Sequence, residues 1–541
     1  MKGKFGNPAF LCLLLIVLTT IIRLIIAGTT GLGTGEAYYA KGSVQLNLSY
    51  FDQPPLFLWL SGLSIRILGL SNFALRLPAV LLFAGTTWLL FLIGKRLFNS
   101  RAGFYAALIM NLSFVFTVPV AAWYQPDAPL MFFWLLTVYF IIHLLFPAEN
   151  REIQTSGSYL STYFLWVLAG ISLGLTFLSK YHAVFIPAGV FLFILFSKEY
   201  RFLLRHPGPY IALLILCIFS LPVVIWNMEN HWISFLFQGS RAGSREFSIH
   251  PEWFLRSIFG QALWLAPWIW IPLIREFFVA LKKGKQEPAY GFIFWMALLP
   301  ITVFTLVTLW SNTQYHFHWQ APGYMMLFLP LGATVAIKMS DYQVKRKRVK
   351  RWLFISSALT VLFSCVLLIH TETGFWQSYG PGWIVKSFGG EHDPTIEGYD
   401  YDDIARRFEK ERWKENKDIF LGSVRWWQAG KIDWALKGQK PMVIFSPDPR
   451  NHAFFIKPTE LLGKDAVVIC QNNEKDIDAN VRPFFDSVER VRDIEIRRNE
   501  ITELTLQVYY CRNFQKPGTP MEELPLYRQL TGRHPFGIPD D

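Results

Sequence analysis

A polar and aromatic stretch at residues 34–59, TGEAYYAKGSVQLNLSYFDQPPLFLW, follows the first long apolar segment of the chain. Its chemically useful side chains are those of Glu36, Tyr38, Tyr39, Lys41, Asp52 and Gln53. A carboxylate can take a proton or orient a polar substrate, and a tyrosine hydroxyl can donate a hydrogen bond. We predict that this stretch forms the floor of an active site at the boundary between water and lipid.

Later segments place further polar residues beside aromatic ones at the ends of apolar stretches. These residues are Asp127 in YQPDAPLMFFW, Lys180 and His182 in FLSKYHAVF, Arg241 and Arg245 in QGSRAGSREF, and His316, His318 and Trp319 in NTQYHFHWQAPGY. A transporter is expected to hold such groups near the middle of the bilayer, on broken helices. The topology inferred below puts all of them on one face of the membrane, which favours a site at that interface.

Several of these residues also have a structural explanation. Asp127 follows a proline and begins an apolar stretch, where a carboxylate caps a helix N-terminus. Lys180 can extend its charge from a helix end into water. His316 and His318 have no third ligand for a metal in their segment, so no metal site is predicted. Glu36, a carboxylate among tyrosines on a short loop, is the least easily explained by structure alone, and it joins Asp127 as a candidate catalytic carboxylate.

Composition places the chain among membrane proteins. Of its 541 residues, 52% are hydrophobic and 17% aromatic, which exceeds ordinary soluble composition. The net charge of +12 is explained by basic cytoplasmic loops rather than by binding to nucleic acid. The sequence contains no glycine-rich nucleotide loop, so a nucleotide-sugar donor is not expected.

Apolar stretches long enough to cross about 30 Å of hydrocarbon fill roughly the first 370 residues. About eleven spans are predicted, at residues 10–27, 76–95, 102–120, 128–146, 161–178, 183–197, 208–227, 258–275, 290–310, 321–338 and 352–370. Residues 54–70 are interrupted by Arg66 and preceded by prolines, so they are expected to lie in the interface. The predicted fold is a polytopic α-helical membrane protein with about 11 to 13 spans, whose membrane domain covers residues 1–371.

Basic residues near the span ends give the orientation. With the N-terminus inside, the inner connections hold about nineteen Lys and Arg residues, including the cluster at 345–351, against about seven outside. The N-terminus is therefore predicted to be cytoplasmic. Residues 372–541 then lie outside. Arg23, in the outer half of the first span, should face protein or a water-filled cleft because a charge in lipid is costly.

Residues 372–541 have the composition of an extracytoplasmic α/β domain. Short apolar runs at 418–423, 441–446, 465–470 and 502–511 predict strands, and the amphipathic run at 400–415 predicts a helix. Strand and helix alternate, which predicts a partly parallel sheet. Residues 423–434, SVRWWQAGKIDW, could recognise an acceptor or pack the sheet, and Cys470 and Cys511 could form an outer-side disulfide.

Motifs in order along residues 1–340 carry a resemblance to a known family. They are GEAYYA (35–40), YFDQPPL (50–56), PDAPLMFFW (126–134), GLTFLSKYHAVF (174–185), HPGPYIALL (206–214), IWNMENHWISFLFQ (225–238) and HWQAPGY (318–324). The chain resembles the bacterial branch of the membrane glycosyltransferases that use polyprenyl-phosphate sugars. That superfamily includes the dolichyl-phosphate-mannose protein mannosyltransferases and the lipid A aminoarabinose transferases, and its fold is called GT-C.

The resemblance implies roles for particular residues. The family's first loop usually opens with Asp-Glu, so Glu36 matches the second member while Gly35 replaces the first. Gln53 stands where the family often has a lysine or histidine, which means that one cation for the donor phosphate is missing or moved. Asp127 matches the second-loop aspartate, and Lys180 matches a lysine associated with the carrier phosphate. The remaining candidate binding residues are Tyr38, Tyr39, Arg241, Arg245, His318 and Trp319.

The implied reaction moves a sugar from a polyprenyl-phosphate carrier to an acceptor at the outer face of an inner membrane. The phosphate leaves as a dianion that Lys180, Arg241 or Arg245 can stabilise. A hydroxyl acceptor needs a carboxylate base, for which Glu36 and Asp127 are the candidates, whereas a phosphate acceptor is already anionic. Lipid A or lipopolysaccharide is the expected acceptor, and neither a cofactor nor nucleic acid is expected as a partner.

Two alternatives remain open from the sequence. The acceptor could be a protein hydroxyl, as in a protein O-mannosyltransferase of the same superfamily. The chain could also be a non-catalytic transporter of lipid-linked sugars, whose essential residues would follow the path across the bilayer.

Overall fold

The computed structural model describes residues 6–146, 156–242, 249–311, 317–341, 344–383, 385, 393–446, 448–471, 474–498 and 501–515. Arg245 and His316, both singled out from the sequence, lie outside these ranges. The described residues form a helical membrane part, residues 8–373, followed by a sheet unit, residues 393–515. This is the fold class that the sequence predicts.

The membrane part is built from helices separated by short connections. They are α1 (Pro8–Thr29), α2 (Thr34–Val44), α3 (Leu56–Leu68), α4 (Asn72–Leu97), α5 (Ser100–Asn111), α6 (Phe114–Thr117), α7 (Asp127–Leu145), α8 (Ser156–Ser179), α9 (Phe185–Phe196), α10 (Pro207–Glu229), α11 (Ile233–Ala242), α12 (Pro251–Leu265), α13 (Pro267–Lys283), α14 (Pro288–Leu306), α15 (Ala321–Ser340) and α16 (Val344–Thr373). Side-chain caps start several of them, as when Asn7, Ser71 and Asn99 accept backbone N–H groups.

Fewer helices than predicted have the length and composition to cross a membrane. In the described residues there are eight such helices, or nine if the bent pair α12 and α13 is one span. That pair bends by 111° at Ala266, which has a φ of 66° and precedes Pro267. The predicted spans at 102–120 and 183–197 are instead the 12-residue helices α5 and α9, flanked by short turns. Helix α3, with 13 residues, covers about 20 Å and is likewise shorter than a span.

Arg23 on α1 contacts the segment where α5 ends. The Arg23 guanidinium is 3% exposed and donates to Asn111 Oδ1 at 2.9 Å and to the Thr117 carbonyl at 3.1 Å. These acceptors lie at the end of α5 and in α6, where the backbone leaves its helical hydrogen bonds. The charge in the first span therefore faces protein, as its cost in lipid predicts.

The sheet unit contains one mixed five-stranded sheet in the order β2-β1-β3-β5-β4. The strands are β1 (Ile419–Ser423), β2 (Met442–Ile444), β3 (Asp465–Cys470), β4 (Phe485–Arg498) and β5 (Ile501–Phe514). The short helix α17 (Phe375–Tyr379) precedes this unit, whose own helices are α18 (Asp402–Lys410), α19 (Trp426–Ala435) and α20 (Glu474–Asn480). Strand β1 pairs in parallel with β2 and β3, while β5 pairs antiparallel with β3 and β4. The partly parallel sheet is confirmed, and β4 was not predicted.

The two cysteines of the sheet unit are not bonded to each other. Cys470 pairs with Gln507 in the sheet register, whereas Cys511 pairs with Ala466. Four residues of strand, about 13 Å, therefore separate them, which is too far for a disulfide. Both are buried, and neither forms a disulfide.

The sheet unit docks on the membrane part through α19 and α2. The ammonium of Lys431 is buried and donates to the carbonyls of Leu32, Glu397 and Tyr399 at 2.5, 2.8 and 2.7 Å. Lys41 on α2 pairs with Asp433 on α19 at 3.3 Å, and both side chains are buried. Such paired and hydrogen-bonded charges fix the orientation of the two elements.

Gly430 allows this close approach. A Cβ placed on it would lie 2.5 Å from the Tyr38 nitrogen and 2.7 Å from the Tyr38 Cα, both backbone atoms that cannot move independently of α2. We expect Gly430→Ala to push α19 away from α2 and to lower stability by about 1–3 kcal/mol. Thermal unfolding and limited proteolysis of the purified protein measure this effect.

Gly239 on α11 is the matched control, because a Cβ there meets nothing within 4 Å. Gly239→Ala should leave both readouts near the wild-type values. Equal behaviour of the two variants would contradict tight docking of α19 on α2.

Candidate functional site

A cavity of about 790 Å³ lies between the membrane part and the sheet unit. It is bounded by α2, the loop before α3, the loop before α7, the start of the α8–α9 connection, the end of α11, α12 and the connection before α15. Its wall includes Tyr38, Tyr39, Asp52, Gln53, Trp123, Asp127, Lys180, Arg241, Arg256, His318, Trp319, Glu397, Trp426 and Arg450. Elements far apart in the chain thus bring charged and aromatic side chains to one end of the helices.

Asp127 and Lys180 form a buried ion pair in the cavity wall. The Lys180 ammonium donates to both carboxylate oxygens of Asp127, at 3.0 and 3.1 Å. His318 Nε2 lies 3.8 Å from Asp127 Oδ2. The N-cap of α7 is Pro126, and Asp127 is its first residue, so the carboxylate lies where the helix dipole favours negative charge.

Asp52 is a second carboxylate in the wall, and it is 4% exposed. Tyr39 donates its hydroxyl to Asp52 Oδ2 at 3.3 Å, and Gln238 on α11 donates to the Asp52 carbonyl at 2.7 Å. Oδ1 has no hydrogen-bond partner among the described residues. Burial raises the pKa of Asp52, while the nearby charges of Arg450 and Arg241 oppose that rise.

Glu36 does not line the cavity. Its carboxylate is 1% exposed and accepts from Arg76 Nε at 2.7 Å and Arg76 Nη2 at 2.5 Å. It also accepts from the backbone nitrogens of Gly33 at 2.8 Å and Tyr124 at 2.6 Å. Four donors saturate this carboxylate, so the geometry gives it a structural role in fixing α2 to α4 and to the loop before α7.

The predicted site residues therefore separate into three groups. Those that line the shared cavity are Tyr38, Tyr39, Gln53, Asp127, Lys180, Arg241, His318 and Trp319. Glu36 is buried and does not line the cavity, and Arg245 lies outside the described residues. No cluster of three or more His, Cys, Asp or Glu side chains able to hold a metal ion occurs in the described ranges.

The sheet unit contributes residues that sequence reasoning did not assign to the site. Trp426, from the segment suggested for acceptor recognition, lines the cavity beside Arg450 and Glu397. Trp434 of the same segment is instead buried and donates its indole N–H to Asn72 Oδ1 at 2.9 Å. Trp434 thus packs against the membrane part and not against the sheet, and acceptor recognition by this segment stays a prediction.

Residues 52–226 match the family of dolichyl-phosphate-mannose-protein mannosyltransferases. The undecaprenyl phosphate-alpha-4-amino-4-deoxy-L-arabinose arabinosyl transferase 2 of Pseudomonas fluorescens is 26% identical over 341 residues. The corresponding transferase of Yersinia pestis is 23% identical over 338 residues. These alignments cover 60% of this chain and 56% of each relative, so the match spans little more than half the length of these relatives.

Solved structures share the whole architecture. ArnT from Cupriavidus metallidurans, in the apo state and bound to undecaprenyl phosphate, superposes with a TM-score of 0.61 at 14% identity, covering 92% of this chain and 97% of that one. The chain therefore has the fold called GT-C. The archaeal oligosaccharyltransferase AglB from Archaeoglobus fulgidus has a TM-score of 0.50 at 11% identity, covering 84% of this chain and 69% of that one.

The family match over residues 52–226 and the shared fold agree with the resemblance drawn from the ordered motifs. With its long apolar helices, the chain is a multi-pass membrane protein. The low identity to the solved structures means that they establish the fold and leave the roles of individual side chains to be tested.

Replacing Glu36 tests its structural role. In Glu36→Gln the buried Arg76 loses its counter-charge, and an amide N–H₂ faces other donors. We expect destabilisation of about 3–5 kcal/mol, measured as a lower melting temperature. A double variant with Arg76→Met should recover part of the loss, because neither charge is then left unpaired. A Glu36→Gln protein with wild-type stability would show that the ion pair does not hold this part of the fold.

The raised pKa of Asp52 predicts how stability depends on pH. Because the folded state favours the protonated carboxyl, the stability that Asp52 contributes is complete below its ordinary pKa of 3.8 and is lost as pH rises through the raised value. The melting temperature of Asp52→Asn relative to wild type should therefore increase as pH rises above about 4. A difference that is the same at every pH would contradict the raised pKa.

Proposed function

We propose that this protein is a glycosyltransferase that moves a sugar from a polyprenyl-phosphate carrier to a lipid acceptor at the outer face of the inner membrane. The observation that carries the proposal is the cavity at the helix ends, where Asp127, Lys180 and Arg241 meet. The relatives named above, transferases whose names specify undecaprenyl phosphate, support this choice of carrier.

The position of the cavity suits a lipid-linked donor. A carrier with an isoprenoid tail remains dissolved in the bilayer, so its reacting carbon can lie only at the interface. The cavity opens at the ends of apolar helices, and its lining mixes Trp123, Trp264 and Trp319 with charged groups. Aromatic side chains suit such an interface because they are apolar on their faces and polar at one edge.

The proposed reaction is a single displacement. The bond between the anomeric carbon of the sugar and the carrier's phosphate oxygen breaks, and its electron pair leaves with the phosphate. The acceptor oxygen forms the new bond to that carbon, which inverts the anomeric centre. Lys180 and Arg241 stabilise the negative charge that develops on the leaving phosphate.

Asp127 is the carboxylate that we place at the reacting centre. If the acceptor is a hydroxyl, its proton passes to Asp127 as the new bond forms. If the acceptor is a phosphate, no proton is transferred, and the carboxylate orients the sugar and stabilises positive charge at its anomeric carbon. Asp52, whose hydrogen bond from Tyr39 positions it in the same wall, is the second carboxylate facing the sugar.

The proposal includes the topology inferred from charge. The N-terminus is cytoplasmic, the division near residue 371 separates a membrane domain from a periplasmic one, and the cavity faces the periplasm. The aminoarabinose named in the relatives favours lipid A as the acceptor, while a protein hydroxyl is the alternative within the same superfamily.

Replacing Asp127 distinguishes a glycosyltransferase from a transporter, because only a transferase needs this carboxylate for sugar transfer. Asp127→Asn should reduce sugar transfer at least about 100-fold, the usual contribution of a general base or charge stabiliser. Binding of undecaprenyl phosphate should persist. Mass spectrometry of lipid A from cells that express each variant measures transfer, and equilibrium binding to purified protein measures the carrier.

Asp402→Asn, at an exposed aspartate that begins α18, is the control and should leave transfer unchanged. Lipid A that is identical in cells with and without the wild-type gene would contradict the proposed acceptor. Full transfer by Asp127→Asn would exclude the proposed role of that carboxylate.

A further inference from the structure

Arg450 of the sheet unit presents an ordered guanidinium to the cavity. It begins the short turn Arg450–Phe454, with a φ of 47°. Its Cζ lies 3.9 Å from the ring centroid of Trp426 and 5.5 Å from that of Phe237 on α11. Nε donates to Asp448 Oδ2 at 3.2 Å. The two terminal nitrogens have no hydrogen-bond partner in the described part of the chain, so their N–H groups remain for a ligand.

The neighbouring residue ties Arg450 to the loop before α3. The Asn451 backbone nitrogen lies 3.0 Å from the Tyr38 hydroxyl, to which it donates, and Asn451 Oδ1 accepts from the Phe51 nitrogen at 3.2 Å. Gln53, two residues after Phe51, lines the same cavity as Arg450. The position of the guanidinium is therefore fixed relative to the floor of the site.

The other polar groups in the cavity wall can be compared with the guanidinium of Arg450. Lys180 directs its ammonium at both oxygens of Asp127, and Gln53 is neutral. Arg241 lies on the other contact of Phe237, with its Cζ 5.4 Å from that ring, so the two guanidinium carbons are at most about 11 Å apart by these ring distances. Both arginines line the same cavity.

We infer that Arg450 binds the phosphate of the polyprenyl carrier. A guanidinium held over an aromatic ring can donate two parallel hydrogen bonds to a phosphate, which an ammonium cannot do. The sheet unit is then part of the donor site. This inference rests on the proposed function, since it takes the carrier as the ligand.

Equilibrium binding of undecaprenyl phosphate to the purified full-length protein tests the inference. Arg450→Gln should weaken binding about 10- to 100-fold, the loss expected for charge-assisted hydrogen bonds to phosphate. Arg450→Lys should fall between that variant and wild type, because it keeps the charge and loses the paired donors. Undecaprenol, the same tail without phosphate, should bind wild type and Arg450→Gln equally.

Arg482→Gln is the matched control in the same unit, at an exposed arginine bonded to Asp478 at 3.1 Å, and should bind the carrier as wild type does. Melting temperatures check that each variant is folded. Unchanged carrier affinity in Arg450→Gln, or an equal loss for undecaprenol, would overturn the inference and leave the proposed function standing. Failure of the wild-type protein to bind undecaprenyl phosphate would instead overturn the proposed function.

Discussion

The buried ion pair between Glu36 and Arg76 is the interaction on which the site depends. It joins α2 to α4 and, through the Tyr124 nitrogen, to the loop that leads to Asp127. With that side of α2 fixed to the membrane part, the helix also receives the sheet unit through Lys41 and Asp433. Tyr38 and Tyr39 are thereby held between the two parts of the protein, where they face the cavity. The sequence suggests Glu36 as a catalytic carboxylate. In the structure, Glu36 instead holds in place the elements that carry the cavity residues.

The elements of the fold follow from the sequence to different extents. Long apolar runs predict most spans because hydrocarbon excludes polar side chains along about 20 residues. Two predicted spans, at residues 102–120 and 183–197, contain the 12-residue helices α5 and α9, which are shorter than that length. Strand β4 escapes prediction since charged residues occupy its exposed face, and its buried positions, such as Ile494 and Ile496, are few. Only the pairing with β5 makes this segment a strand.

The candidate site was predictable where its residues lie at the ends of spans. Asp127 and Lys180 lie next to apolar runs. The length needed to span a bilayer and the excess of basic residues in cytoplasmic loops therefore predict that both lie on the same face of the membrane. Arg450 has no such signal, because nearly 400 residues separate it from Gln53 and only the docking of α19 on α2 brings them to one cavity. For Glu36 the sequence suggested a catalytic role that the structure does not support. Its residue type and its neighbours in the sequence could not reveal that Arg76 and two backbone nitrogens donate hydrogen bonds to its carboxylate.

The central claim is that a carrier phosphate enters the cavity between the membrane part and the sheet unit. An experimental structure of the purified protein with bound undecaprenyl phosphate tests it most directly. The account predicts density for the phosphate between Arg450 and the pair formed by Asp127 and Lys180, with the isoprenoid tail leaving the cavity into the bilayer. Phosphate density at another surface, with this cavity lacking it, would contradict the account.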